Sequence, residues 1–239
     1  MSARTYLALL AIAVVAAFGL AACGGGDDDA GSPAPAGQTG DTADMTDDMA
    51  ASSDLRVLSP AADLRSTLDT LLGEHALLAM VATQKGYDGE ADFEAVAAAL
   101  DENSVELSQA IGSVYGDEAA QQFLDGPALW RDHIGFFVDY TVGLAKKDKA
   151  ARQEAVENLE GYTGAFSGFL AEATGLPQDA LQESITEHVM QLKGQIDAYA
   201  AGDYEEAYRL FRQAYEHMVM TGDTLAEAIV KQNPDEFGG

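Results

Sequence analysis

From Leu55 onward, apolar residues recur every three or four positions, and no stretch alternates apolar and polar residues with a period of two. That spacing lays an apolar stripe along a helix instead of one face of a strand, and predicts an all-α domain. The first helix opens at "SPAADL": Ser59 is the N-cap, Pro60 takes the first helical position, where its missing N–H is harmless, and Asp63 sits in the first turn. It is expected to run to about Thr83. The Gly-rich "KGYDGEAD" of residues 85–92 interrupts the pattern, and a second helix follows to near Gly112.

A short helix at "DEAAQQFL" precedes "DGP" at 125–127, where proline forces a restart, so a third long helix is expected over roughly 127–145. Asp148 and Asp203 read as N-caps, the second with Glu206 three residues on, as in a capping box. "TGLPQ" at 174–178 and "AAGDY" at 200–204 separate the remaining helices, giving a bundle of about six.

Sliding the chain along itself by 55 residues aligns 133–174 with 188–229 without a gap. His133 then falls on His188, Asp148 on Asp203, and one "LAEA" on another. At an offset of 58, His75 falls on His133. The expected plan is three helical hairpins of about 55–60 residues each. The first helix of each carries an acid before histidine: Glu74-His75, Asp132-His133 and Glu187-His188. The matching late positions of the second helices hold Asn103, Tyr162 and His217, polar or polar-tipped where packing alone favours Leu or Ala.

The four histidines are the only ones in the chain. His75 shares a face with Leu64, Leu68, Leu71 and Ala82. His133 shares one with Trp130, Phe137, Tyr140 and Leu144, and His188 with Leu181, Ile185, Leu192 and Tyr199. His217 lies on a line with Leu210, Ala214, Thr221, Thr224 and Ala228.

Buried imidazoles need partners, because an unsatisfied polar group in a core costs about 1–3 kcal/mol. A transition metal, copper or zinc, shared by His75, His133, His188 and His217 would satisfy all four at once. Glu74, Asp132, Glu187 and Glu216 each precede a histidine by one residue, about 100 degrees around the helix, and so stand as outer partners, together with Tyr140, Tyr162 and Asn103. The Met220 thioether, three residues after His217, would favour copper(I). Met218 and Met190 read as core fillers. The aromatic residues around His133 pack the core or wall an apolar or haem pocket. The competing expectation is that each histidine is an ordinary core residue bonded to a carbonyl or hydroxyl.

No Glu-x-x-His or His-Glu-x-x-His pair, no Gly-x-Ser-x-Gly elbow and no phosphate-binding glycine loop occurs, so no enzyme signature is present.

Residues 1–22 have the order of a secretory leader, with Arg4 before an apolar run. "LAAC" at 20–23 resembles the bacterial lipobox. The resemblance implies lipidation of Cys23, palmitate-type acylation and an extracytoplasmic protein held to the cell membrane. Assigning the single cysteine this way leaves none for a disulfide or thiolate site. Residues 23–58 contain almost no large apolar side chain and read as a disordered acidic tether before the helical domain of 59–239.

The formal net charge is −27. Eight of the 40 acidic residues precede Leu55, as does one of the 13 basic ones, Arg4, which leaves residues 55–239 at about −20. Such a surface repels nucleic acid and anionic headgroups. Any membrane contact is therefore expected through the lipid, and a protein partner is not identified by any motif.

The runs "LRSTLDTLLGEHALLAM", "ENSVELSQAIGSVYG", "LWRDHIGFFVDYT", "QIDAYAAGDYEEAY" and "EHMVMTGDTLAEAIVKQNPDEF" together resemble a family of secreted, Ala-rich helical domains of Gram-positive bacteria. Some members of that family are labelled copper amine oxidase N-terminal domain-like. The resemblance spans residues 64–237 and implies a helical fold and an extracytoplasmic location. No Asn-Tyr-Asp or Asn-Tyr-Glu is present from which a topaquinone could form. The expected function is binding of a transition metal or small ligand through inward histidines; the alternative is an envelope interaction or spacing module.

Overall fold

The computed structural model of the chain describes residues 59–237; the leader, Cys23 and the tether lie outside the described residues. The domain is an all-α bundle. Its elements are α1 (Pro60–Asp88), α2 (Phe93–Tyr115), α3 (Asp117–Asp125), α4 (Trp130–Ala145), α5 (Lys149–Thr174), α6 (Gln178–Ala201), α7 (Tyr204–Gln232) and the single turn α8 (Pro234–Phe237). Three hairpins, α1/α2, α4/α5 and α6/α7, make up most of it, and α7 also lies along α1. Because α1 packs against α2, α4, α6 and α7, its inward residues near the midpoint, such as His75, Ala76 and Met80, are almost completely enclosed.

Local chemistry explains most boundaries. Ser59 Oγ accepts from Ala62 N at 3.2 Å, and Asp148 Oδ1 accepts from Ala150 N and Ala151 N at 3.0 and 3.1 Å. Asp203 caps α7 by accepting from Glu206 N at 3.2 Å. The reciprocal half of that capping box is not made, because the Glu206 carboxylate accepts from Arg209 Nε at 2.6 Å instead.

Three boundaries differ from expectation. Helix α1 does not stop near Thr83 but continues through Gly86 to Asp88, and only Gly89, at φ +70°, turns the chain. A glycine interrupts a helix weakly, whereas a left-handed residue after the last turn ends it. Helix α2 runs past Gly112 to Tyr115. Pro127 does not start α4: it lies in a turn held by Ala128 N donating to Asp132 Oδ2 at 2.7 Å, and the helix begins at Trp130.

Most of the core is one cluster that draws on α1 through α8 and includes Leu72, Met80, Leu107, Leu159, Phe166 and Leu192. A smaller one gathers Tyr140, Ala155 and Ile196, with Tyr87, Leu144, Val156 and Tyr199 packed on it. The α1/α7 crossing depends on Gly222, where a Cβ would stand 2.5 Å from Asp69 Oδ1 and 2.9 Å from Asp69 N. Beside this crossing Arg65 pairs with Asp223.

Candidate functional site: a histidine-lined cavity

The inward stripes of α1, α4 and α6 deliver His75, His133 and His188 to the middle of the bundle. There they are 1%, 2% and 5% exposed, buried as completely as the leucines around them. The rings of His75 and His133 have centroids 5.4 Å apart, and those of His75 and His188 are 6.1 Å apart. Trp130 lies 4.6 Å from His75 and 4.9 Å from His133. Tyr162 stacks on His133 at 4.6 Å and 16°, then Phe166 on Tyr162 at 5.3 Å.

Nothing in the protein hydrogen-bonds Nδ1 of His75 or either ring nitrogen of His188, and Nδ1 of His133 has no well-formed bond, only the influence of the Trp130 backbone of its own helix. Burial and mutual repulsion keep the three rings neutral. His75 is held well below the usual histidine value by burial and by His133. His133 is pushed down to about 3 by burial and His188, against an opposing effect from the Trp130 backbone. His188 is pushed down to about 3 by burial, His75 and His217. Desolvation also raises the Tyr162 phenol, which stays protonated.

The fourth histidine behaves differently. His217, on α7, is 6.4 Å from His188 between ring centroids. Its Nε2 lies 3.0 Å from the Ser184 carbonyl oxygen and 3.1 Å from Ser184 Oγ. A carbonyl can only accept, so Nε2 carries a proton and donates, while Nδ1 lies 4.0 Å from Glu187 Oε2. His217 is thus satisfied within its own hairpin and stands at the rim of the trio.

All four rings line one cavity of about 330 Å³. Its walls are mainly apolar, with Phe123, Trp130, Phe166, Phe169 and Met218 among them, and exposed Gln122 and Glu172 show where it approaches the surface. That volume lies at the lower end of small-molecule sites, which combine apolar walls with a few polar groups that set orientation.

The remaining candidates scatter. Tyr162 faces the cavity, whereas Tyr140 belongs to the smaller cluster and donates to Asp197 Oδ1 at 2.7 Å. Asn103 spans the first hairpin, its Nδ2 donating to the Leu71 carbonyl at 3.0 Å and Glu74 Oε2 at 2.9 Å. Asp132 is committed to the turn before α4. Exposed Glu187 accepts from Gln191 at 3.0 Å, and exposed Glu216 pairs with Arg212 at 3.4 Å.

Two corrections concern methionine. Met220 is 66% exposed and lines no part of the cavity, and Met190, read as a core filler, is 59% exposed; Met218 is the buried one. The polar line on α7 also bends outward: Thr221 reaches the cavity, Thr224 is exposed, and each hydroxyl donates to the carbonyl four residues back. Sequence reasoning missed Ser184, whose position one turn before His188 on α6 was the available signal. It also missed Gln195, two turns after His188 on the same helix face, fully buried with neither amide atom bonded.

The trio has some of the properties a metal site needs. Two imidazoles on one ion, with metal–nitrogen bonds of about 2.0–2.1 Å, place their ring centroids about 5.2 Å apart in tetrahedral geometry and about 6.4 Å when opposed. The 5.4 and 6.1 Å separations fall in that window. The nitrogens themselves are not gathered: among the described residues no three His, Cys, Asp or Glu side chains are placed to hold an ion. Metal binding would therefore require the rings to turn within the cavity.

No helix among the described residues is long and apolar enough to cross a membrane. No family model, no curated protein and no solved structure matches the chain.

Proposed function

We propose that this domain is a ligand-binding module that takes a small molecule into the cavity between its three hairpins. The ligand has an apolar body that packs on Trp130, Phe123 and Phe166 and a polar group, such as a hydroxyl, that can both donate to and accept from His75, His133 and His188. The observation that carries the reading is that His75, His133 and His188, buried and neutral with ring nitrogens that lack full hydrogen-bond partners, line a cavity of about 330 Å³. Each unpartnered nitrogen costs the empty protein stability that a bound group would return, a donor for a bare nitrogen and an acceptor for an N–H.

Phenol, one apolar ring with one donor, is a direct probe. Titration calorimetry on the untagged domain should give saturable 1:1 binding, weakened about tenfold in His188→Phe. Equal affinity for the variant would remove the histidines from the site.

A second reading, a transition metal held by the same trio, is favoured by the ring separations. Dialysis against copper or zinc followed by elemental analysis separates the two. One equivalent retained by the wild type and lost when all three histidines are replaced would favour the metal.

The leader and the "LAAC" run support placing the module outside the cytoplasm on a lipid attached to Cys23, with residues 23–58 as the tether. Replacing Cys23 with Ser should abolish incorporation of labelled palmitate and release the protein from membranes; unchanged labelling would refute the anchor. The acidic domain gives no support to nucleic-acid binding.

A further inference from the structure

His75 and His133 line a second cavity as well as the first. It has a volume of about 220 Å³ and is walled by Ala79, Ala82, Leu100, Phe137 and Leu192, opening at the α1/α2 turn beside Gly89, Glu90 and Phe93. Its two hydroxyls are already used, Thr83 Oγ1 donating to the Met80 carbonyl at 3.0 Å and Thr141 Oγ1 to the Phe137 carbonyl at 2.8 Å. At the turn a methyl group on Gly86 would stand 3.0 Å from the Phe93 ring, so glycine there is what lets Phe93 lie across this end.

We infer that the second cavity is a separate site for a small, uncharged, wholly apolar molecule of about one ring in size, held against the two histidines that also wall the larger cavity. A cavity of about 150 Å³ lined by aliphatic and aromatic side chains stays dry and accepts benzene or xenon; this one is larger and mostly apolar, with two imidazoles in its wall and an opening at the α1/α2 turn beside exposed Glu90. The two cavities divide by chemistry. His188, with both nitrogens unpartnered, and the rim groups Ser184 and His217 belong only to the larger one, so donor-bearing ligands are drawn there and wholly apolar ones here. Because His75 and His133 serve both, occupying either cavity alters the surroundings of the same two rings. The inference rests on the small-molecule reading only for that coupling; apolar occupancy stands without it.

Xenon-pressurised crystals of the untagged wild-type domain test occupancy directly, with a xenon atom expected between Ala79, Leu100 and Phe137. Xenon confined to the larger cavity, or bound in neither, overturns the inference. In solution, benzene at half saturation should raise the melting temperature of the wild type by several degrees. Ala82→Phe, which fills the second cavity, should lose most of that rise while binding phenol with wild-type affinity. If Ala82→Phe does not fold, Ala82→Leu, a smaller filler, should lose the rise in part. An undiminished benzene response in the folded variants overturns the inference, and failure of phenol to bind the wild type overturns the donor reading of the larger cavity alone. Coupling is read from the His75 and His133 ring resonances, which benzene should shift in the wild type and leave unmoved in Ala82→Phe; unmoved resonances in the wild type would sink the coupling.

Discussion

Two parts of the core treat buried polarity in opposite ways. Around Tyr140, Ala155 and Ile196 every aromatic hydroxyl has a partner. Tyr140 donates to Asp197, which also accepts from Lys193 at 2.7 Å; Tyr199 donates to Asp88 at 2.6 Å; and Tyr87 reaches the Ala200 carbonyl at 3.4 Å. The Asp88 contact pushes the Tyr199 phenol up to about 12. Around His75, His133 and His188 the burial is deeper than at Tyr87 and Tyr199, and the ring nitrogens go unanswered. The first region is built for stability. The second retains polar groups that weaken the empty fold, the pattern expected where a ligand supplies the missing partners.

The sharpest way to break this contrast is acid. For His133 and His188 the folded-state value of about 3 lies below the usual 6.5, and His75 shifts in the same direction. The unfolded chain therefore binds more protons between those limits. Proton linkage through these histidines leaves stability unaffected above about pH 6.5 and lowers it progressively as pH falls toward 3. Each histidine costs about 1.4 kcal/mol per pH unit in that window, so three together should lower the unfolding free energy by about 4 kcal/mol at pH 5.5. Urea denaturation at pH 7.5 and 5.5 measures it. A variant lacking all three should show a nearly flat response; a wild-type response equally flat would mean the rings are charged or bonded in the folded state.

A smaller effect, opposite in sign between the two regions, comes from single substitutions. Ile196→Ala hollows the closed cluster at a fully buried position and should cost about 3 kcal/mol. His188→Leu removes two unpartnered buried nitrogens while keeping most of the volume, and should stabilise the ligand-free protein by about 1 kcal/mol. Denaturation midpoints of both variants decide the point: if His188→Leu is as damaging as Ile196→Ala, the histidine is a structural residue.

Much of this molecule was legible in its amino-acid order. Helical class, the three hairpins, the Ser59, Asp148 and Asp203 caps and the inward direction of His75, His133 and His188 all follow from spacing, because a helix converts a sequence interval into an angle regardless of what surrounds it. That logic weakens along α7. The line drawn from Leu210 through His217 to Ala228 holds at its buried Ala214 and Ala228 but includes the exposed Thr224 between them. The start of α4 was misplaced because Pro127 marks a break but not its length, which the Asp132 contact to Ala128 sets.

What the sequence determined by itself is which side of each helix is apolar and that each of three helices carries one histidine inward. Only the tertiary structure decided how far those rings stand from one another, that His217 is satisfied by Ser184 while His188 is not, and that two rings wall two cavities. Those outcomes depend on how helices distant in sequence cross. A crossing is set by side-chain volume and close approaches such as Gly222 against Asp69, which no interval along a single helix encodes.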